Sequence, residues 1–129
     1  MSLIDAIHHV SLIVADTERA LAFYRDLLGL EVDPARPELG FAGAWLRVGG
    51  QQIHLLELPN PDPLAARPAH GGRDRHLALT VSDLDAMRAL LDAAGIPYTL
   101  SRSGRRALFA RDPDANALEL IEQPSHQPR

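Results

Sequence analysis

Two stretches of the chain alternate along their length in the manner of half-buried strands. In the first, Val10, Leu12 and Val14 share one face while His9, Ser11 and Ile13 share the other. In the second, Leu77, Leu79 and Val81 oppose His76, Ala78 and Thr80. Each stretch is followed by residues spaced for a helix. Asp16 is placed to cap a helix over Thr17–Leu28, with Leu21, Tyr24, Leu27 and Leu28 on one side and Gly29 as the stop. Ser82 or Asp83 caps a second helix over Leu84–Ala94, stopped by Gly95. Further strands are predicted at Leu30–Asp33, Ala42–Val48 and Gln52–Leu58, the last two as a hairpin through Gly49-Gly50. Their counterparts are Tyr98–Ser101, Arg106–Arg111 and Ala117–Glu122, the final hairpin turning through Asp112-Pro113-Asp114-Ala115-Asn116. The loop Pro34–Gly40 and the proline- and glycine-rich linker Pro59–Asp74 lack periodicity, and the polar tail Gln123–Arg129 is expected to fray.

The order of elements is therefore written twice, as two βαβββ units over about 6–58 and 75–122. His9 and Asp16 recur as His76 and Asp83, both 67 residues later. The run from Ile53 to Pro59 recurs as Leu118 to Pro124 at a shift of 65, which sets His54 opposite Glu119. Two units related by a pseudo-two-fold would gather His9, His54, His76 and Glu119. Three imidazoles and one carboxylate around a point are a transition-metal site.

Composition narrows the possibilities. A chain of 129 residues, 46% hydrophobic and 23% charged, suits one globular domain with a core. A net charge of -4 argues against nucleic acid as a partner. There is no cysteine, so any metal is held by nitrogen and oxygen. The absence of a membrane-length apolar run and of a signal-peptide pattern leads us to expect a cytoplasmic protein with no membrane partner.

Three segments carry a family resemblance: His9-Val10-Ser11-Leu12-Ile13-Val14; Ala22-Phe23-Tyr24-Arg25-Asp26-Leu27-Leu28-Gly29-Leu30; and Asp112-Pro113-Asp114-Ala115-Asn116 leading to Glu119. In this order, from about Ile7 to Ile121, the chain resembles the vicinal oxygen chelate superfamily, the glyoxalase, bleomycin-resistance and extradiol dioxygenase family. It departs at Ala115, where the family usually has glycine. The resemblance implies an α+β fold in which two βαβββ modules form a cup-shaped eight-stranded mixed sheet with helices outside. It implies one divalent metal ion per site (Zn, Ni, Co, Fe or Mn), ligated from the first and last strand of each module. Those positions are His9, His54, His76 and Glu119, the set the internal repeat identifies. It also implies a small-molecule substrate and a homodimer with shared sites.

Four ligands leave one or two positions for a substrate with two neighbouring oxygens. A glyoxalase-like lyase or isomerase working through a metal-stabilised enediolate is the leading expectation, with Glu119 as the catalytic base. The alternatives are a non-haem iron dioxygenase built on His9, His76 and Glu119, and a resistance or binding protein of the same superfamily. A fosfomycin-type transferase shares those three residues but has an anion-binding tyrosine where this chain has Phe109. His54 is also readable as a hydrogen-bonding partner. His8 is expected to point away from His9, and His126 to be inert in the tail. His70, beside Gly71-Gly72, is either a lid residue or a solvated one. Among Arg102, Arg105, Arg106 and Arg111, Arg111 is the favoured anchor for a substrate anion if it shares the parity of Phe109. Trp45 and Arg47 line the cup only if Ala44, Leu46 and Val48 do not.

Overall fold

The computed structural model describes residues 2–123, so His126 and most of the tail lie outside the described residues. The chain divides at Pro63/Leu64 into two compact units, each a βαβββ module. The first holds β1 (His9–Val14), α1 (Thr17–Leu21), β2 (Glu31–Val32), β3 (Gly43–Val48) and β4 (Gln51–Glu57). The second holds β5 (His76–Val81), α2 (Leu84–Ala93), β6 (Tyr98–Leu100), β7 (Ala107–Arg111) and β8 (Ala117–Glu122). The eight strands form two four-stranded mixed sheets, ordered β1-β4-β3-β2 and β5-β8-β7-β6. In each, the first strand runs parallel to the last, and the remaining pairs are antiparallel.

The parallel pairing follows from connectivity. A parallel neighbour needs a crossover, and the helix with its following strands supplies it. Each helix starts where expected. Asp16 accepts the amide of Arg19 at 3.0 Å and Asp83 that of Ala86 at 3.0 Å, which settles the second cap on Asp83. A carboxylate from the end of the last strand adds to each cap. Glu57 accepts the Thr17 amide at 2.8 Å, and Glu122 accepts the Leu84 amide at 2.9 Å. The helix start is thereby fastened to the far end of its own module.

The first helix is not uniformly α-helical. Ala22–Leu27 continues α1 as a π-helix, and the amide of Leu28 reaches back to the Phe23 carbonyl at 3.0 Å. The extra residue per turn keeps Phe23 and Tyr24 buried, with Tyr24 fully enclosed. The core of the first unit is Val14, Leu46, Ile53 and Leu55 with Tyr24; that of the second is Leu91, Leu108, Leu118 and Leu120. Ala44 and Leu46 are buried on this side, so Trp45 and Arg47 take the opposite face of β3. Burying aliphatic side chains of this size stabilises by roughly 1.5–3 kcal/mol each, so the apolar parity of the strands dictates which residues are left to face the other way.

Ala115 adopts φ +66°, the left-handed conformation in which a Cβ is strained. It closes the β7–β8 turn with its amide on the Asp112 carbonyl at 3.0 Å. Ala115→Gly should relieve that strain and raise stability by about 0.5–1 kcal/mol. An unchanged or lowered denaturant midpoint at constant slope would show the turn to be unstrained.

Candidate metal-binding half-sites

The register puts the candidate residues in equivalent places in the two modules. In the first, Ser11 pairs with His54, and His9 lies two residues before Ser11 on the same face. In the second, Ala78 pairs with Glu119, and His76 lies two residues before Ala78. Paired residues of a parallel ladder share a face. The structure thus brings His9 to His54 and His76 to Glu119. Among the described residues, no group of three or more His, Cys, Asp or Glu is arranged to hold a metal ion.

The pair in the second module has ligand geometry. His76 Nε2 and Glu119 Oε1 are 3.3 Å apart. Two donors sharing an ion at about 2.1 Å are separated by roughly 3.0–3.4 Å for tetrahedral to octahedral angles. His76 Nδ1 lies 2.9 Å from the Asp74 carbonyl, which only accepts, so Nδ1 carries the proton. In the neutral ring Nε2 then bears the lone pair and faces a carboxylate oxygen. Two electron-pair donors at this distance attract only through a proton or a cation placed between them. Glu119 itself is 3% exposed, and its other oxygen takes Arg105 Nη2 at 3.2 Å. A buried carboxylate requires such partners.

Phe109, the β7 partner of Glu119, sets its ring edge-on to His76 at 5.1 Å between centroids. His70 approaches the same ring at 4.9 Å, and its Nδ1 lies 2.7 Å from Thr99 Oγ1. Gly71 passes so close that an added Cβ would stand 3.1 Å from the Phe109 Cβ. The linker is a strap against this face, and His70 is engaged with Thr99 and Phe109 rather than a solvated loop histidine. Burial, then the Arg102 and Arg73 charges, lowers the His70 pKa and favours its neutral form.

The first module presents a stack. The His54 ring lies parallel to Trp45 at 4.4 Å and to His9 at 3.9 Å. Burial lowers the His54 pKa, assisted by repulsion from His9, His8 and Arg36, so this ring is also held neutral. Its Nε2 is 2.8 Å from Gln52 Oε1. In two stacked rings the lone pairs run side by side, so this pair offers the right donors without converging them on one point. The expectation for His8 is corrected. It precedes β1, strand alternation does not constrain it, and its Nδ1 meets His9 Nδ1 at 2.8 Å.

Arg111 is corrected as well. Its guanidinium is 2.8 Å from Asp74 Oδ2, 2.8 Å from the Ala115 carbonyl and 2.7 Å from the Pro68 carbonyl. The anion it holds is internal, and it ties the strap to the final turn. Arg106 is paired with Glu122 and Asp85, which leaves Arg105 as the arginine on the candidate ligand. Sequence reasoning missed Gln52 and Asp33, although Gln52 shares the parity of His54 and that signal was available.

Comparison with known proteins agrees with this architecture. The Glyoxalase/Bleomycin resistance protein/Dioxygenase superfamily matches residues 6–120. The chain is 38% identical over 128 residues to the protein YwkD of Bacillus subtilis, covering 94% of this chain and 99% of that one. It is 31% identical over 123 residues to Glyoxylase I 4 of Arabidopsis thaliana, covering 91% and 70% respectively. A glyoxalase-family protein from Bacillus anthracis superposes with a TM-score of 0.79 at 29% identity, covering 95% of this chain and 98% of that one.

Asp74 joins Arg111 and Arg67, and these charges with the Arg75 amide outweigh burial to lower its pKa to about 2. A carboxyl depressed in the folded state stabilises the fold above its unfolded pKa, near 3.9. That contribution should fade as pH falls from about 4 to about 2. Acid unfolding of Asp74→Asn should lack this segment of the pH dependence; an identical curve for both proteins would contradict the pairing. With folded Asp74 depressed and its charge gone on protonation, the sign is fixed: stability is lost toward acid, not gained. On these residues the chain belongs to the glyoxalase/bleomycin resistance/dioxygenase superfamily, the vicinal oxygen chelate proteins.

Proposed function

We propose that the protein is a divalent-metal-dependent enzyme of the glyoxalase type, a lyase or isomerase acting on a small substrate with two neighbouring oxygens. His9, His54, His76 and Glu119 would hold the ion. The observation that carries this reading is the His76 Nε2–Glu119 Oε1 separation of 3.3 Å, with the His76 Nδ1 proton directed to the Asp74 carbonyl. A metal-ligating histidine usually donates its other ring N–H to a carbonyl or carboxylate oxygen. The similarity to Glyoxylase I 4 supports the reaction class.

A divalent ion supplies Lewis acidity, which makes a C–H beside a chelated oxygen more acidic. The protein's own part is to hold and move the proton. Glu119 is the carboxylate of the set and the candidate base, and its burial strengthens its interactions with groups placed beside it. Arg105, on Oε2, keeps the carboxylate oriented with Oε1 toward His76. Phe109, edge-on to both His76 and His70, gives this face an apolar floor.

A second reading is favoured by the hold of Gln52 on His54. If His54 stays outside the coordination sphere, His9, His76 and Glu119 remain, the two-histidine, one-carboxylate set of non-haem iron proteins. Oxygen consumption by iron-loaded protein, with no turnover of zinc- or nickel-loaded protein, would select it.

Elemental analysis should find about one divalent ion per chain, lost in His9→Ala/His76→Ala. Glu119→Gln keeps the size and one oxygen donor but removes basicity. It should lower turnover by about 10² or more while metal is at least partly retained. Unimpaired turnover with metal in place would remove Glu119 as the base. We also propose a homodimer. Light scattering should give about twice the 14.1 kDa of one chain, and a monomer that binds metal tightly would refute site sharing.

A further inference from the structure

Gln52 and Asp33 belong to no ligand set, yet they form a chain of hydrogen bonds that ends on His54. Gln52 Nε2 donates to Asp33 Oδ2 at 2.8 Å, and Gln52 Oε1 lies 2.8 Å from His54 Nε2. The direction of this chain is fixed by its far end. Asp33 accepts the Ala35 amide at 2.9 Å and Arg47 Nη2 at 3.3 Å, both on Oδ1. These partners keep it ionised, and an ionised carboxylate only accepts. Gln52 must therefore turn its NH₂ to Asp33 and its carbonyl oxygen to His54. A carbonyl oxygen also only accepts, so His54 Nε2 must carry the proton. The neutral ring has one proton on nitrogen, and Nδ1 is left with the lone pair.

We propose that Asp33 and Gln52 are positioning residues that hold His54 as the Nε2–H tautomer and make Nδ1 its sole donor atom. Trp45 and His9 fix the plane of the ring by stacking on its two faces. The two half-sites then present opposite nitrogens, Nδ1 from His54 and Nε2 from His76. Register explains the difference. Gln52 is the β1-paired partner of His9 and lies two residues before His54, so a polar side chain is already on this face. The position opposite His76 is Ala117, which offers no such partner, and His76 turns its Nδ1 to the backbone instead. As a statement about metal ligation, the inference rests on the proposed role of His54; as a statement about the tautomer, it does not.

Long-range ¹H–¹⁵N correlation spectra of the metal-free protein at about pH 8, above the ordinary imidazole range, read the tautomer directly. The His54 signals are assigned by their loss in His54→Gln. The expected result is a pyrrole-type Nε2 and a pyridine-type Nδ1, with both moving toward averaged values in Gln52→Leu and in Asp33→Asn. A wild-type spectrum with the proton on Nδ1 would overturn the proposal, and this measurement needs neither relay variant to fold, only the assigning His54→Gln. So would a tautomer unaltered in folded Gln52→Leu. Zinc titration then separates the two readings. A coordination shift at Nδ1 with the Nε2 proton retained supports both. Zinc bound with neither nitrogen moved leaves the relay standing and removes His54 from the ligand set. Displacement of the Nε2 proton by zinc sinks the relay.

Discussion

In each module the strand that begins the unit lies parallel to the strand that ends it, and the rest of the structure depends on that pairing. Parallel neighbours cannot be joined by a tight turn, so a helix and two strands must fit within the crossover. The pairing brings residues 40 or so apart in sequence into one row, Ser11 beside His54 and Ala78 beside Glu119. It also delivers Glu57 and Glu122 to the start of their modules' helices, where each carboxylate meets an unpaired amide. A one-residue slip in this ladder would turn every candidate ligand into the apolar core and every core leucine outward. The burial of Leu55 and Leu120 on one face thus sets His54 and Glu119 on the other.

The two half-sites start from the same backbone and end in different chemistry. Glu119 is a buried anion, so its surroundings supply positive charge and donors: Arg105 on one oxygen, His76 near the other. His54 is a buried neutral ring, so its surroundings supply aromatic faces and one acceptor. Each arrangement satisfies the polar group that its strand position forces inward. His76 and Glu119 stand 3.3 Å apart, whereas the imidazole pair is packed as a stack and does not converge its nitrogens on one point.

Arginine is used here mainly to organise the chain's own carboxylates. Arg111 and Arg67 converge on Asp74, Arg106 on Glu122, and Arg47 on Asp33 and Glu31. Two of these carboxylates then hold a group that matters to a candidate site or its helix: Asp33 orients Gln52, and Glu122 caps α2. The arginine contact sets the charge state, and the carboxylate passes that constraint on through a hydrogen bond. The exposed Arg47–Glu31 pair stabilises little by itself.

The sequence by itself determined the module. Alternation on β1 and β5 assigned the histidines to the polar face because apolar parity leaves no other place for them. The caps at Asp16 and Asp83 and the stops at Gly29 and Gly95 were legible because they act within one turn of chain. The internal repeat made His9 equivalent to His76 and His54 to Glu119, and the ladders agree residue for residue. Tertiary structure alone decided what depends on side chains meeting across strands. It assigned Trp45 to His54, since Ala44 and Leu46 had an equal claim to the polar face until their burial was known. It turned Arg111 from a substrate anchor into an internal tie, since its three acceptors come from distant parts of the chain. It placed His8 against His9, where strand alternation does not yet apply. And it placed the oxygens of Gln52 and Asp74 beside the rings of His54 and His76, a proximity that no local pattern of residues carries.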